Sequence, residues 1–292
     1  MPRVAPPNAA NDLFSQAREL YLVDQETLRI ERTINEALNS SKDWTVGQHL
    51  AWLLKPRSSE EKSHYVTQKG IILSEAFKGL SPKAAKMYLV ASALTWWTPS
   101  KPNKKKGYKP DDLELPYKRA MAAGIAASNS TIRRCFKELE AARLMIKIDG
   151  KIGIPNVYHL VSKHRIDHFP ILEKGSILCP AFFELSGPAA KLLALCHATA
   201  RWEKGGQGKR PGRRKQPRVA HDFEFPYSKA REMGVSKDNL TIQKAFCELE
   251  ALGFVQTVQE RPGTPTVFRI SNAHKQLTLA KAKTLKEALW KL

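Results

Sequence analysis

The strongest constraint on this chain is that it contains the same segment twice. "NSTIRRCFKELEAARLM" starts at Asn129, and "NLTIQKAFCELEALGFV" starts at Asn239, 110 residues later. Upstream, "KGIILSEAFKGLSPKAAK" from Lys69 returns as "KGSILCPAFFELSGPAAK" from Lys174, at an offset of 105. Phe77, Leu80, Ser81, Ala84, Ala85 and Lys86 recur as Phe182, Leu185, Ser186, Ala189, Ala190 and Lys191, and Trp97 recurs as Trp202. The offset changes to 110 between Trp97 and "LELPYKRAMAAGI" (Leu113), which returns as "FEFPYSKAREMGV" (Phe223). It holds through "PNVYHLVSKH" (Pro155) and "PTVFRISNAH" (Pro265), so the second copy carries five extra residues in the loop after the Trp. Matched spacing over this length implies duplication of one module of about 100 residues.

Each copy reads in the same order. An extended piece leads to a helix opened by Ser81-Pro82 (Ser186 and Pro188 in the second copy), a sound N-cap and first-turn pairing. That helix is expected to run to the Trp. A basic Pro/Gly-rich loop follows, then a short alternating strand ("DLELPY", "DFEFPY") and a short helix ending at Gly124 or Gly234. The quoted helix comes next, with Ile132, Phe136, Leu139 and Ile242, Phe246, Leu249 on the i, i+4, i+7 stripe of a helix packed on a core. Strands Leu144–Ile148 with Val157–Val161, and Phe254–Val258 with Val267–Ile270, close each copy around a Gly/Pro turn.

The order helix, strand, helix, turn, helix, strand, turn, strand resembles the winged helix-turn-helix family. The wording "LPY(K/S)xA…G(I/V)…N.T…EL(E)…PNVY" is similar to DNA-binding proteins of bacterial plasmids and integrated elements, and two winged helices in one chain also resemble plasmid replication initiators. The resemblance covers both copies, roughly residues 70–165 and 175–275. It implies a mainly α fold with small β-wings (α+β), built as two duplicated winged-helix domains behind a helical N-terminal arm. The expected division is 1–65 arm and linker, 66–166 and 171–276 the two domains, and 277–292 an amphipathic helix.

Such a fold sends the third helix into the major groove, where its N-terminal residues reach base edges. In copy one, Ser128, Asn129, Ser130, Thr131, Arg133, Arg134 and Lys137 lie at the helix start or on its outer face. Arginine matches guanine O6/N7, asparagine pairs with adenine, and hydroxyls anchor phosphates. Copy two has Asp238, Asn239, Leu240, Thr241, Gln243, Lys244 and Cys247 there, a less cationic face with another hydrogen-bonding code. The core face repeats and the outer face diverges, so the two copies need not read the same bases. Such residues could instead merely solvate an exposed helix.

Charge points the same way. The net charge is +20, but residues 1–68 hold 8 Lys/Arg against 9 Asp/Glu and residues 69–292 hold 40 against 19. The whole excess lies with the repeat, which favours a polyanionic partner. Two loops concentrate it: "TPSKPNKKKGYKP" with Lys104, Lys105 and Lys106, and "EKGGQGKRPGRRKQPR" with Arg210, Arg213, Arg214 and Lys215. Both suit backbone or minor-groove contact, or act as plain solvated loops. Lys151 and Arg261 in the wing turns are further phosphate contacts. "GGQGKRPG" is no nucleotide loop, because Arg210 stands where a P-loop has Ser/Thr.

Residues 11–54 read as helices, with Ile30, Ile34, Ala37 and Leu38 as one stripe and Asp43 placed to cap "WTVGQHLAWLL" before Pro56. At the far end Leu279, Ala282, Leu285, Leu289 and Leu292 form an apolar stripe. Either end helix could make a homodimer or pack on its own module, and the N-terminal arm could also hold a partner protein. Nothing suggests a membrane span: the apolar run Tyr88–Leu94 is too short, and "MPRVAPPNAANDLF" has no signal-type apolar region. Cys135, Cys179, Cys196 and Cys247 lack metal or disulfide spacing and read as buried or idle thiols of a cytoplasmic protein, nucleoid- or plasmid-associated. His164 and His168, with Cys179 nearby, lack the Glu of H-E-x-x-H, and no nucleophile elbow or acidic triad occurs. The expectation is a non-enzyme without cofactor or metal. Its partner is double-stranded DNA, and its task is replication initiation or its control at an origin or operator. Transcriptional regulation, partition or DNA coating, and RNA binding are the alternatives.

Overall fold

The computed structural model describes residues 44–54, 65–95, 112–149, 157–161, 170–200, 202–203, 219–220, 222–260 and 265–289. From Thr45 onward these belong to one compact unit of mixed α+β structure. The first half runs α1 (Val46–Leu53), β1 (Tyr65–Gln68), α2 (Pro82–Leu94), β2 (Asp112–Glu114), α3 (Tyr117–Ala122), α4 (Asn129–Ala141), β3 (Met145–Asp149) and β4 (Val157–Leu160). The second runs β5 (Pro170–Glu173), α5 (Gly187–Thr199), β6 (Trp202–Glu203), β7 (Val219–Ala220), β8 (Phe223–Glu224), α6 (Tyr227–Glu232), α7 (Asn239–Ala251), β9 (Val255–Gln259), β10 (Val267–Ile270) and α8 (Leu279–Leu289). Two three-stranded antiparallel sheets, β2-β4-β3 and β8-β10-β9, sit at equivalent places in the two halves.

Local chemistry explains why equivalent stretches form equivalent elements. Ser81 and Ser186 cap α2 and α5, each hydroxyl accepting the backbone N–H three residues on, with proline in the first turn. Both helices are buried almost all round and stop at Leu94 and Thr199, short of the Trp, where Thr95 and Ala200 turn extended. Before α2 and α5 the chain is less extended than its sequence suggests. One-turn helices Glu75–Lys78 and Pro180–Glu184 intervene, started by the Ser74 side chain in one half and by Pro180 in the other. A second departure is the β6–β7 pair, in which Trp202 opposes Ala220 at the two ends of the basic loop.

The two halves face each other across an approximate two-fold axis. β1 pairs antiparallel with β5, Tyr65 opposite Glu173 and Gln68 opposite Pro170, so an offset of 105 maps the pairing onto itself. α2 packs on α5, and Gly187 lies against Pro82, its own equivalent: a Cβ on Gly187 would sit 2.9 Å from the Pro82 carbonyl carbon. Beside this contact two lysines are wholly buried. Lys86 Nζ donates to Gly124 O in its own half (2.8 Å) and to Phe183 O (2.9 Å) and Leu185 O (2.7 Å) in the other. Lys191 Nζ donates to Gly234 O (2.7 Å) in its half and to Lys78 O (2.6 Å) and Leu80 O (2.7 Å) opposite. Every acceptor has its equivalent on the other side. An ammonium has three N–H donors, and here all three are used. Burial pushes Lys86 down to about 7, with the Lys286 charge adding to it and Glu248 and Glu184 opposing, and pushes Lys191 down to about 8 against the pull of Glu138.

The end segments pack on this unit. α1 is capped by Thr45, not Asp43: the Thr45 N–H donates to Gln48 Oε1 (2.7 Å) and the Thr45 hydroxyl accepts from the Gln48 N–H (3.3 Å). This reciprocal box is the better solution because it satisfies two orphan backbone groups at once. α1 lies on α3, with the Arg119 guanidinium 4.3 Å over the Trp52 ring. Asp43 and the stripe Ile30–Leu38 lie outside the described residues. α8 packs on α7 and on Pro180–Glu184 through Ala282, which is buried, and Leu285, and Lys286 bonds the Glu184 carbonyl. Among the described residues of its apolar stripe, Ala282 is buried and Leu279, Leu285 and Leu289 are half-buried.

Between α8 and the second sheet, His274 is buried and stacks on Phe254 at 4.2 Å. Its Nδ1–H donates to Gly253 O (3.3 Å) and its Nε2 accepts from the Ser176 hydroxyl (3.1 Å), which fits the neutral ring. Desolvation first, then nearby Lys275, pushes its pKa down to about 4. The unfolded ring titrates near the ordinary value, so between pH about 6.5 and about 4 the unfolded chain binds the extra proton. Stability should fall as pH falls through that window, by about 3 kcal/mol in all. Urea unfolding of wild type and His274→Gln at each pH checks this: the stability of wild type relative to the variant should drop by that amount between pH about 6.5 and about 4 and stay level on either side of the window.

Candidate nucleic-acid interface

α4 and α7 are each held from behind at equivalent points. Phe136 stacks on Tyr158 (4.4 Å, 8°) and Phe246 on Phe268 (4.4 Å, 3°), fixing each helix to its own sheet. Tyr117 and Tyr227 flank the same rings at 6.0 and 6.2 Å. Glu138 on α4 takes both the N–H and the hydroxyl of Ser81, and Glu248 on α7 does the same for Ser186 (2.7 and 2.5 Å). The repeated Glu-Leu of the sequence thus ties each helix to the N-terminus of the buried helix behind it. Glu248 is 1% exposed, and desolvation raises its pKa despite the Ser186 bonds.

The turns leading into α4 and α7 depend on Gly124 (φ +67°) and Gly234 (φ +70°). Each then meets a cap. The Ser128 hydroxyl accepts the Thr131 N–H (3.4 Å) and lies 3.2 Å from the Ser130 hydroxyl and 2.9 Å from that of Thr131. Asp238 accepts from the N–H groups of Leu240 (3.2 Å) and Thr241 (2.9 Å) and from the Thr241 hydroxyl (2.8 Å). Those bonds, the Thr241 hydroxyl foremost, hold the Asp238 carboxyl below its ordinary value. Ser128 and Thr131, expected to anchor phosphates, thus also serve the helix start, and Thr131 and Thr241 are only half-exposed.

The outer faces are open to solvent in both halves. Asn129, Ser130, Arg133, Arg134 and Lys137 are exposed on α4, and Asn239, Leu240, Gln243, Lys244 and Cys247 on α7, while Ile132, Phe136, Leu139, Ile242, Phe246 and Leu249 are buried as the stripe predicts. Among the described residues, Arg133, Arg134 and Lys137 are in no ion pair, so their charge faces outward. One cation escapes a helix-face reading: Lys237 is exposed in the turn just before the Asp238 cap, where the first half has Ala127. Leu240, 55% exposed, is the opposite surprise, an apolar side chain at the tip of a polar face. Lys104, Lys105, Lys106, Lys151, Arg210, Arg213, Arg214, Lys215 and Arg261 lie outside the described residues, as do His164 and His168.

Among the described residues no group of three His, Cys, Asp or Glu could hold a metal ion, and no helix is long and apolar enough to cross a membrane. Cys135, Cys179 and Cys196 are buried, and burial pushes Cys179 up to about 12, which makes its thiol a poor nucleophile. Cys247 is exposed on α7. No family model, curated protein or solved structure matches this chain, so a functional reading has to be built from its own residues.

Proposed function

We propose that this chain binds double-stranded DNA through α4 and α7, as the reading helices of two tandem winged-helix modules whose wings are the β3–β4 and β9–β10 hairpins. The observation that carries the reading is the pair of equivalent helices pinned on one side by stacked rings and a capping glutamate. Each shows only polar, cationic or tip residues on the other side. Rigid backing under an exposed hydrogen-bonding face is what groove readout needs, because side chains must meet base edges in register. Arg133 and Arg134 would read guanine or hold phosphates, Asn129, Asn239 and Gln243 would pair with adenine, and Leu240 would meet a thymine methyl. The setting is an origin or operator of a plasmid or mobile element, and the task is initiating replication or controlling it.

If the modules cover about eight phosphates, log K falls with log salt at a slope near about −7. Fluorescence anisotropy across a salt series measures this, and failure to retain any duplex at low ionic strength overturns the reading. On the selected site Arg133→Ala and Arg134→Ala should each lose about 1–3 kcal/mol. Equal losses on random DNA would reassign both arginines to the backbone. Footprinting on the host replicon then places the site: repeats beside an origin support replication, a palindrome over a promoter does not.

A further inference from the structure

We propose that Lys286 of α8 is a positioning residue for the second reading helix: through the buried carboxylate of Glu248 it fixes the rotation of α7, a brace that the first half does without. This rests on the DNA-binding reading above and names what holds one of its two faces in register.

The two halves hold their reading helices by the same bonds in different surroundings. Glu138 and Glu248 stand at equivalent positions, and each takes the N–H and the hydroxyl of the serine that caps the buried helix behind. Glu138 is half-buried and Ser81 exposed, so water solvates that carboxylate. Glu248 is buried and Ser186 half-buried, where α8 packs on α7 and on Pro180–Glu184. The repeat supplies no counterpart to α8: the positions 110 before Ala280–Glu287 are Pro170–Ile177, which form β5 and a one-turn helix.

A carboxylate taken out of water is costly unless it is hydrogen-bonded and paired. Desolvation raises the Glu248 pKa, against the pull of the Ser186 bonds and of the Lys286 and Lys86 charges. Lys86 has all three N–H groups on carbonyls. Among the described residues, Lys286 is the cation in ion-pair range of Glu248, its Nζ 4.0 Å from Oε1. The same Nζ donates to the Glu184 carbonyl and stands 3.8 Å from the Glu184 carboxylate, so the ammonium is held between α7 and the segment that leads into α5.

Rotation is what this pairing controls. The Phe246–Phe268 stack pins α7 at one point of its circumference, and Glu248 on Ser186 pins it at a second. Asn239, Gln243 and Lys244 ride on the same helix. A turn of about 10° about the helix axis moves a side-chain tip about 1 Å, more than the ~0.5 Å that a hydrogen-bonded readout tolerates. Without Lys286, Glu248 either leaves its buried place or takes up a proton, and each weakens the second pin.

Hydrogen exchange on the full chain without DNA, read by mass spectrometry, tests the brace, and anisotropy on a selected duplex tests its use. Lys286→Met should speed exchange of the α7 amides about tenfold, leave those of α4 within about twofold of wild type, and weaken duplex binding about tenfold. Lys286→Arg, which keeps the charge, should restore both. Glu248→Gln keeps the shape and an acceptor without the charge, so adding Lys286→Met to it should change α7 exchange by less than about twofold. Equal acceleration in α4 and α7, no rescue by arginine, or an undiminished effect in the Glu248→Gln background would overturn the proposal, the last by making Lys286 a docking residue for α8 alone. Faster α7 exchange with unchanged duplex binding would overturn α7 as a reading helix while the brace stands. Failure of wild type to retain any duplex would overturn the DNA reading itself.

Discussion

Lys86→Met should destabilise the chain by about 3–5 kcal/mol, an effect read from urea unfolding followed by circular dichroism. The substitution keeps most of the aliphatic stem and removes the ammonium. Three carbonyls, of Gly124, Phe183 and Leu185, then lose their donor in a place water does not reach. Each orphaned acceptor costs about 1–3 kcal/mol, and relaxation recovers part of the sum. Lys191→Met should cost a similar amount, since Lys78, Leu80 and Gly234 are left in the same state. The double variant is more informative than either single. If losing one cluster already lets the halves part, the second loss removes little, and the double falls well short of additivity. A cost below about 1 kcal/mol for either lysine would mean that these clusters do not hold the halves together.

Much of this architecture can be read from residues alone, and what cannot has a common cause. The stripe Ile132–Phe136–Leu139 and its counterpart are legible because helical period and burial are properties of a single element. Gly124 and Gly234 announce their turns because positive φ is a local demand that glycine meets best. Lys86 and Lys191 recur at matching positions, yet a lysine in an apolar run ordinarily reads as a stem with its charge in water. Their real partners are main-chain carbonyls of the other half, and a carbonyl leaves no mark in a sequence. The β1–β5 ribbon is hidden for the same reason, being backbone to backbone. Glu138 and Glu248 are an intermediate case: the repeated Glu-Leu is visible, but only packing tells that the carboxylates face a serine cap. At the site itself, helix periodicity separates outer from inner face correctly, while Lys237 in the preceding turn follows no period and is passed over.

Gly124→Ala should be the most damaging of the small substitutions, at about 3–5 kcal/mol, and Gly253→Ala should cost only about 1–2 kcal/mol. The two glycines have nearly the same backbone, φ +67° and +73°, so conformational preference alone predicts nearly equal losses. Their neighbours differ. A Cβ on Gly124 would fall 2.1 Å from the Phe183 carbonyl oxygen, across the junction, and 3.1 Å from Lys86 Nζ. Relief requires the halves to move apart by more than an ångström at the point where Lys86 binds both of them, so strain and lost hydrogen bonds add. A Cβ on Gly253 would meet the His274 backbone nitrogen at 2.8 Å and the Ala273 side chain at 2.9 Å, a less severe approach than 2.1 Å and one made by a segment of the same half, outside the junction. The chain itself supplies a control, because Arg143 occupies the position equivalent to Gly253 and carries its Cβ at φ +55°. Unfolding curves of the two alanine variants, measured side by side, separate the effects. Equal losses would assign both glycines to backbone conformation and leave the close approach at Gly124 without energetic weight. A gap of about 2 kcal/mol or more would assign the difference to contact across the two-fold. In that case Gly124→Ala should also weaken duplex binding more than Gly253→Ala does, since it displaces the turn that leads into α4.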